Sequence, residues 1–146
     1  MKAADVPDGP LVIDTDVLSW VIWSRERYKE FEALIDGHVL AVAFATVGEV
    51  RAGAINAAFG PKRVAELERR LRQLVVLPAN DAVTTVFADL YARFRDQLRG
   101  GGVNDMWIAA CALAANPRPL PIVTGNLSDF QIISGAFPLQ IVHPDL

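Results

Sequence analysis

The sequence predicts an α/β fold, a three-layer α/β/α sandwich around a central, mostly parallel five-stranded sheet. Three observations carry this. Short apolar runs alternate with longer amphipathic segments along the whole chain. The connections between successive runs are long enough for the crossovers that parallel pairing requires. Runs such as Val39–Ala45 are continuous rather than alternating, as strands covered on both faces are. With 146 residues, 52% hydrophobic and 21% charged, the chain suits one domain with a substantial core. Residues 1–10 read as a flexible lead-in and residues 11–146 as that domain.

Leu11-Val12-Ile13-Asp14, after the Gly9-Pro10 breaker, reads as the first strand. Thr15-Asp16 offers N-cap chemistry for a helix from about Val17, with Val17, Leu18, Val21 and Ile22 at helical spacing. Tyr28–Ile35 is a second helix, stopped by Asp36-Gly37, and Val39–Ala45 a second strand. Thr46 is the expected cap of a helix over Val47–Ala58 that ends before Gly60-Pro61. Lys62–Gln73 is amphipathic, and Leu74–Leu77 is a third strand closed by Pro78. A long helix over Asp81–Arg99 breaks at Gly100-Gly101-Gly102. The next helix starts at Asn104 or Asp105 and runs to about Ala115. Ile122–Thr124 is a fourth strand, Leu127–Ile133 a short helical turn and Leu139–Val142 a fifth strand.

Four carboxylates mark the ends of these apolar runs: Asp14, Glu49, Asp105 and Asp129. In a parallel sheet the first closes a strand, and the others open at the same carboxyl edge, where such folds build their sites. Packed like charges are tolerable when a cation neutralises them. Carboxylate and water ligands select hard ions such as Mg²⁺ or Mn²⁺, and such a site points to phosphodiester chemistry. Taken singly, each acid also has an ordinary role as a cap, a dipole partner or a solvated residue. Four such coincidences at one sheet edge are much less probable than one.

Other features read more plainly. His38 and His143 stand alone near strand ends and read as surface or capping residues, so zinc is not suggested. Cys111 reads as a small buried hydrophobe in a reducing compartment. With no secretory pattern and no apolar run of spanning length, a cytoplasmic location without membrane contact is expected. The net charge of −3 opposes nonspecific coating of nucleic acid. Lys62, Arg63, Arg69, Arg70 and Arg72 gather on one helix, and Arg93, Arg95 and Arg99 on another. A solvated face outweighs phosphate guidance as their explanation. Trp20 and Trp23 read as packing residues ahead of base-stacking ones.

Asp14-Thr15-Asp16-Val17 also has the look of a dehalogenase-type phosphatase nucleophile motif. That chemistry, like a response-regulator receiver, needs a lysine late in the chain. The only lysines are Lys2, Lys29 and Lys62, which excludes both.

Leu11-Val12-Ile13-Asp14-Thr15-Asp16-Val17-Leu18, Glu49-Val50-Arg51-Ala52-Gly53, Asn104-Asp105-Met106-Trp107-Ile108-Ala109-Ala110 and Ile122–Phe130 resemble, in order, the four acid-bearing segments of PIN-domain nucleases. Their order and spacing are similar to those of VapC-like toxins of bacterial toxin–antitoxin pairs, over about Leu11 to Val142. The resemblance implies a PIN-like sandwich and a Mg²⁺- or Mn²⁺-dependent endoribonuclease, homodimeric and inhibited by a cognate antitoxin. It implies that Asp14, Glu49, Asp105 and Asp129 form the catalytic, metal-holding quartet. Thr15 and Thr124 would supply hydroxyls nearby. Asp16 stands where the family often has Asn, as an additional neighbouring acid. Asn126 shares the last segment with Asp129, and which of them makes the main contact stays open. The alternative function is a catalytically silent PIN-fold module that binds RNA or protein.

Overall fold

Why the apolar runs are continuous is explained by two cores, one on each side of a single sheet. The computed structural model describes residues 1–98 and 102–146. Its strands are β1 (Leu11–Ile13), β2 (Leu40–Ala43), β3 (Val75–Leu77), β4 (Ile122–Val123) and β5 (Ile141–Val142). They lie in the order β3-β2-β1-β4-β5, and every pairing is parallel. Successive strand residues point to opposite faces. Leu11, Ile13, Val42, Val123 and Val142 therefore enter one core, and Val12, Ala41, Ala43, Ile122 and Ile141 the other.

Helices cover both faces. On the first lie α1 (Thr15–Ile22), α2 (Tyr28–Ile35) and α4 (Pro61–Leu71), which contribute Leu18, Phe31 and Leu67. On the second lie α5 (Asp81–Phe94), α6 (Val103–Leu113) and α7 (Leu127–Ser134), with Leu90, Met106 and Phe130. The helix α3 (Phe44–Asn56) bridges the two, sending Phe44 to one core and Ala54 to the other. Burial of each large aliphatic or aromatic side chain is worth about 1.5–3 kcal/mol. The three-layer sandwich is thus present, with an entirely parallel sheet.

Three helix starts differ from the sequence expectation, each for a local reason. Asp14 itself, and not Thr15-Asp16, caps α1: its Oδ1 accepts the Val17 N–H at 2.9 Å. The helix α3 begins at Phe44 directly after β2, so Thr46 lies inside it, fully buried, and caps nothing. The helix α6 begins at Val103, after Gly102 with φ of +52°, a left-handed conformation that favours glycine. The helix α5 ends at Phe94, with residues 95–97 in a turn, short of the expected end at Arg99; Arg99, Gly100 and Gly101 lie outside the described residues.

Candidate functional site

The site grows from the point where the chain reverses its march across the sheet. Strands β2 and β3 lie on one side of β1, and β4 and β5 on the other. At such a switch point the connections after neighbouring strands diverge and leave a crevice at the carboxyl edge. Asp14 follows β1 and Thr124 follows β4, so the two flank that crevice. The Thr124 hydroxyl donates to Asp14 Oδ2 across it. Both carboxylate oxygens of Asp14 are thereby engaged, one by its own helix and one by the neighbouring strand.

The other acids arrive from three helices. Asp105 lies in the first turn of α6, and Asp129 in the first turn of α7; both are buried. The Asn126 side-chain amide ties them together, its Nδ2 donating to Asp105 Oδ2 and to Asp129 Oδ2, each at 3.0 Å. The Asn126 backbone N–H donates to Thr124 Oγ1 at 2.8 Å, so one turn carries both contacts. Glu49, on α3, is half-buried and accepts the Thr15 hydroxyl at Oε1 over 2.7 Å. Asp16 is exposed and acts on Asp14 through its charge.

These surroundings shift two of the acids strongly. Burial pushes the Asp14 carboxyl up to about 6, with the Asp16 charge adding to it and the Thr124, Val17 and Gly125 hydrogen bonds opposing it. Asp105 is pushed up to about 7, first by burial and then by Asp14, Asp129 and Glu49, with the Asn126 bond opposing. All four acids therefore share one electrostatic neighbourhood, although they come from well-separated parts of the chain. An all-oxygen set of this kind fits a hard divalent cation. Among the described residues no three such side chains are closed into a ready cation cage. Asn126 holds two of the carboxylates, Asp105 and Asp129, while Thr124 holds Asp14 and Thr15 holds Glu49.

Thr46 is a site residue that the sequence reading missed. It stands one helical turn before Glu49 on α3, and the Thr15 hydroxyl reaches its Oγ1 at 3.2 Å as well as Glu49. The spacing of three residues on one helix face was the available signal. Trp20 and Trp23 follow the packing expectation, against Phe31 and Phe59 respectively. His143 is buried against Phe31, and its Nδ1 accepts the Asp145 N–H, a capping role. A groove of about 430 Å³ opens beside Glu49, between Trp20, Trp23, Arg25 and Arg27. A larger cleft of about 890 Å³ lies among Pro10, Pro121 and Gln140, which precede strands, and includes none of the four acids.

Residues 11–120 match the PIN domain family. The chain belongs to the PIN-domain family. This PIN domain is 33% identical over 135 residues to ribonuclease VapC5 of Mycobacterium tuberculosis, a match that covers 90% of the chain and 93% of that relative. In structure it is similar to a member of the VapBC family of toxin–antitoxin systems, VapBC-5, also from Mycobacterium tuberculosis. The TM-score is 0.67 at 29% identity, over 93% of this chain and 99% of that one. The fold is also shared with VapBC-1 from nontypeable Haemophilus influenzae, at a TM-score of 0.72 and 23% identity, over 94% and 99% of the two chains.

Proposed function

We propose that this PIN domain is a divalent-metal-dependent endoribonuclease, the toxin of a toxin–antitoxin pair. One observation carries the reading. Asp105 and Asp129, both buried, are bridged by the one Asn126 amide, and Asp14 and Glu49 stand close enough for their charges to act on Asp105, a grouping of like charges that a bound cation would neutralise. The relative named ribonuclease VapC5 and the similar fold of a member of the VapBC family of toxin–antitoxin systems support RNA as the substrate class and an antitoxin as the partner.

In this reading Asp14, Asp105, Asp129 and Glu49 hold Mg²⁺ or Mn²⁺. When bound, the ion supplies charge neutralisation and Lewis-acid polarisation at the scissile phosphate. The chain's own residues do the rest. Thr124 and the α1 backbone fix the Asp14 carboxylate, and Asn126 holds Asp105 and Asp129 in register. Thr15 donates to Glu49 Oε1 and so orients the carboxylate that would accept the proton of the attacking water. Water's oxygen bonds to phosphorus as the P–O bond to the leaving ribose oxygen breaks, and that oxygen takes a proton from solvent, which yields two shorter RNAs. The antitoxin is the protein partner. Homodimerisation is proposed from the family, and Ile55 on α3, 79% exposed, is available to it.

Purified protein is expected to cleave RNA with Mg²⁺ or Mn²⁺ and to stop in excess EDTA. Cleavage ends mapped in cellular RNA after controlled expression should appear with wild type and vanish with Asp105→Ala. Full activity in EDTA, or undiminished activity in Asp14→Asn, overturns the nuclease reading. Native mass spectrometry after co-expression with the neighbouring gene product should show a hetero-complex.

A further inference from the structure

The turn that organises the acids is itself seated on a residue outside them. Trp20, half-buried on α1, lies so close to Gly125 that a Cβ built there would stand 2.5 Å from the indole Cη2 and 3.1 Å from Cζ3. Carbon atoms do not pack at the shorter distance, so the glycine is what allows the contact. The neighbours of Gly125 are the two residues that bond the carboxylates: Thr124 donates to Asp14, and Asn126 bridges Asp105 and Asp129. The ring edge thus bears on the backbone between them.

The ring is backed on one side by the core and stacked on the other. Phe31, fully buried, packs against it with centroids 5.5 Å apart, and the Arg27 guanidinium lies 4.7 Å from its centroid. The helix that carries Trp20 is in turn capped by Asp14. The contacts close on themselves, from Asp14 through α1 to Trp20, across to Gly125, and back through Thr124 to Asp14.

We propose that Trp20 is a positioning residue of the acidic site: its indole edge, seated on Gly125, holds the Thr124–Asn126 turn where it can bond Asp14, Asp105 and Asp129. Its effect on turnover rests on the nuclease reading; its effect on the turn's geometry does not. A Cβ at position 125 pushes the turn off the ring and loosens all three carboxylates together. A displacement of an ångström in such a site costs turnover by about 100-fold.

The test is a double-mutant cycle on the full chain with two readouts. Gly125→Ala should lower kcat for RNA cleavage by about 10–100-fold with KM nearly unchanged. It should also shift the Asn126 side-chain amide signal in ¹H–¹⁵N spectra. Trp20→Phe removes the outer ring; alone it should lower kcat by a smaller factor while the thermal midpoint stays close to wild type. Combined with Gly125→Ala it should return both kcat and the Asn126 signal to the level of Trp20→Phe alone.

Wild-type kcat in Gly125→Ala, or a loss that Trp20→Phe fails to relieve, overturns the proposal. If Gly125→Ala does not fold, recovery of the fold and the Asn126 signal in the double variant supports it, and failure to recover overturns it. A wild-type protein that cleaves no RNA sinks the nuclease reading instead. The Asn126 signal then decides the positioning role by itself: no shift in Gly125→Ala overturns it.

Discussion

Asp14 does two jobs with one carboxylate, and substitutions can separate them. Asparagine keeps the side-chain oxygen that caps α1, while alanine removes it. Asp14→Asn and Asp14→Ala should both lose RNA cleavage, but only Asp14→Ala should also lose about 0.5–2 kcal/mol of stability, read by chemical denaturation. A second prediction follows from the raised carboxyls. A group whose pKa is higher folded than unfolded binds protons on folding. Its stabilising contribution is full below about 3.8 and is lost as pH rises through about 6 for Asp14 and about 7 for Asp105. In EDTA, Asp105→Asn should therefore be more stable than wild type at pH 8, by about 1–3 kcal/mol, with the difference gone at pH 4. Mn²⁺ should stabilise wild type more than the variant at pH 8. A pH-independent difference between the two would refute this. At this scale the acids were legible because each interrupts an apolar run, which is a local pattern. Thr46 and the seating of Gly125 were not, because each gains its role from a residue distant in sequence.

Among the elements, α5 and α6 form the most extensively packed helix pair, and the Phe87 and Trp107 rings stack between them with centroids 3.6 Å apart. Leu90, fully buried beneath α5, anchors the pair. Leu90→Ala should cost about 2–5 kcal/mol by thermal or denaturant unfolding. Because Asp105 lies in the first turn of α6, Mn²⁺ binding should weaken in the same variant. Element identities were legible from periodicity, while their starts were displaced. Thr46 has a capping hydroxyl, yet β2 runs straight into α3 at Phe44, which is partly buried against the core, and Thr46 falls inside the helix. The basic helix α4 is largely committed to its own surroundings. Arg69 pairs with Glu66, Arg63 lies 3.9 Å over the Phe59 ring, and Arg70 donates to the Val21 carbonyl. The expectation is a solvated face; Arg63 and Arg70 are instead engaged by Phe59 and by the Val21 carbonyl.

For the whole molecule, the net charge of −3 supplies no long-range attraction for RNA, and two of the arginines, Arg51 and Arg69, are already paired with Glu68 and Glu66. The log–log dependence of RNA affinity on salt should accordingly be shallow, with a slope no steeper than about −3 at constant Mn²⁺. A steep slope would reveal a phosphate track not evident in these contacts. Fold class was legible because a parallel sheet with two covered faces imprints itself on its inner strands, although Val75 and Val76 of the edge strand β3 are exposed. Strand order was not, since nothing in a run such as Ile122-Val123 says which neighbour it joins.

The seat of Trp20 on Gly125 also has a historical consequence. Two positions that must fit each other cannot drift independently over evolution. Among relatives that share this site, any lineage with alanine or serine in place of the glycine should have a smaller ring, or none, at the tryptophan position. An indole should persist only where the glycine does. The pair would then be inherited as a single character, visible in an alignment as covariation between two stretches that no local motif connects.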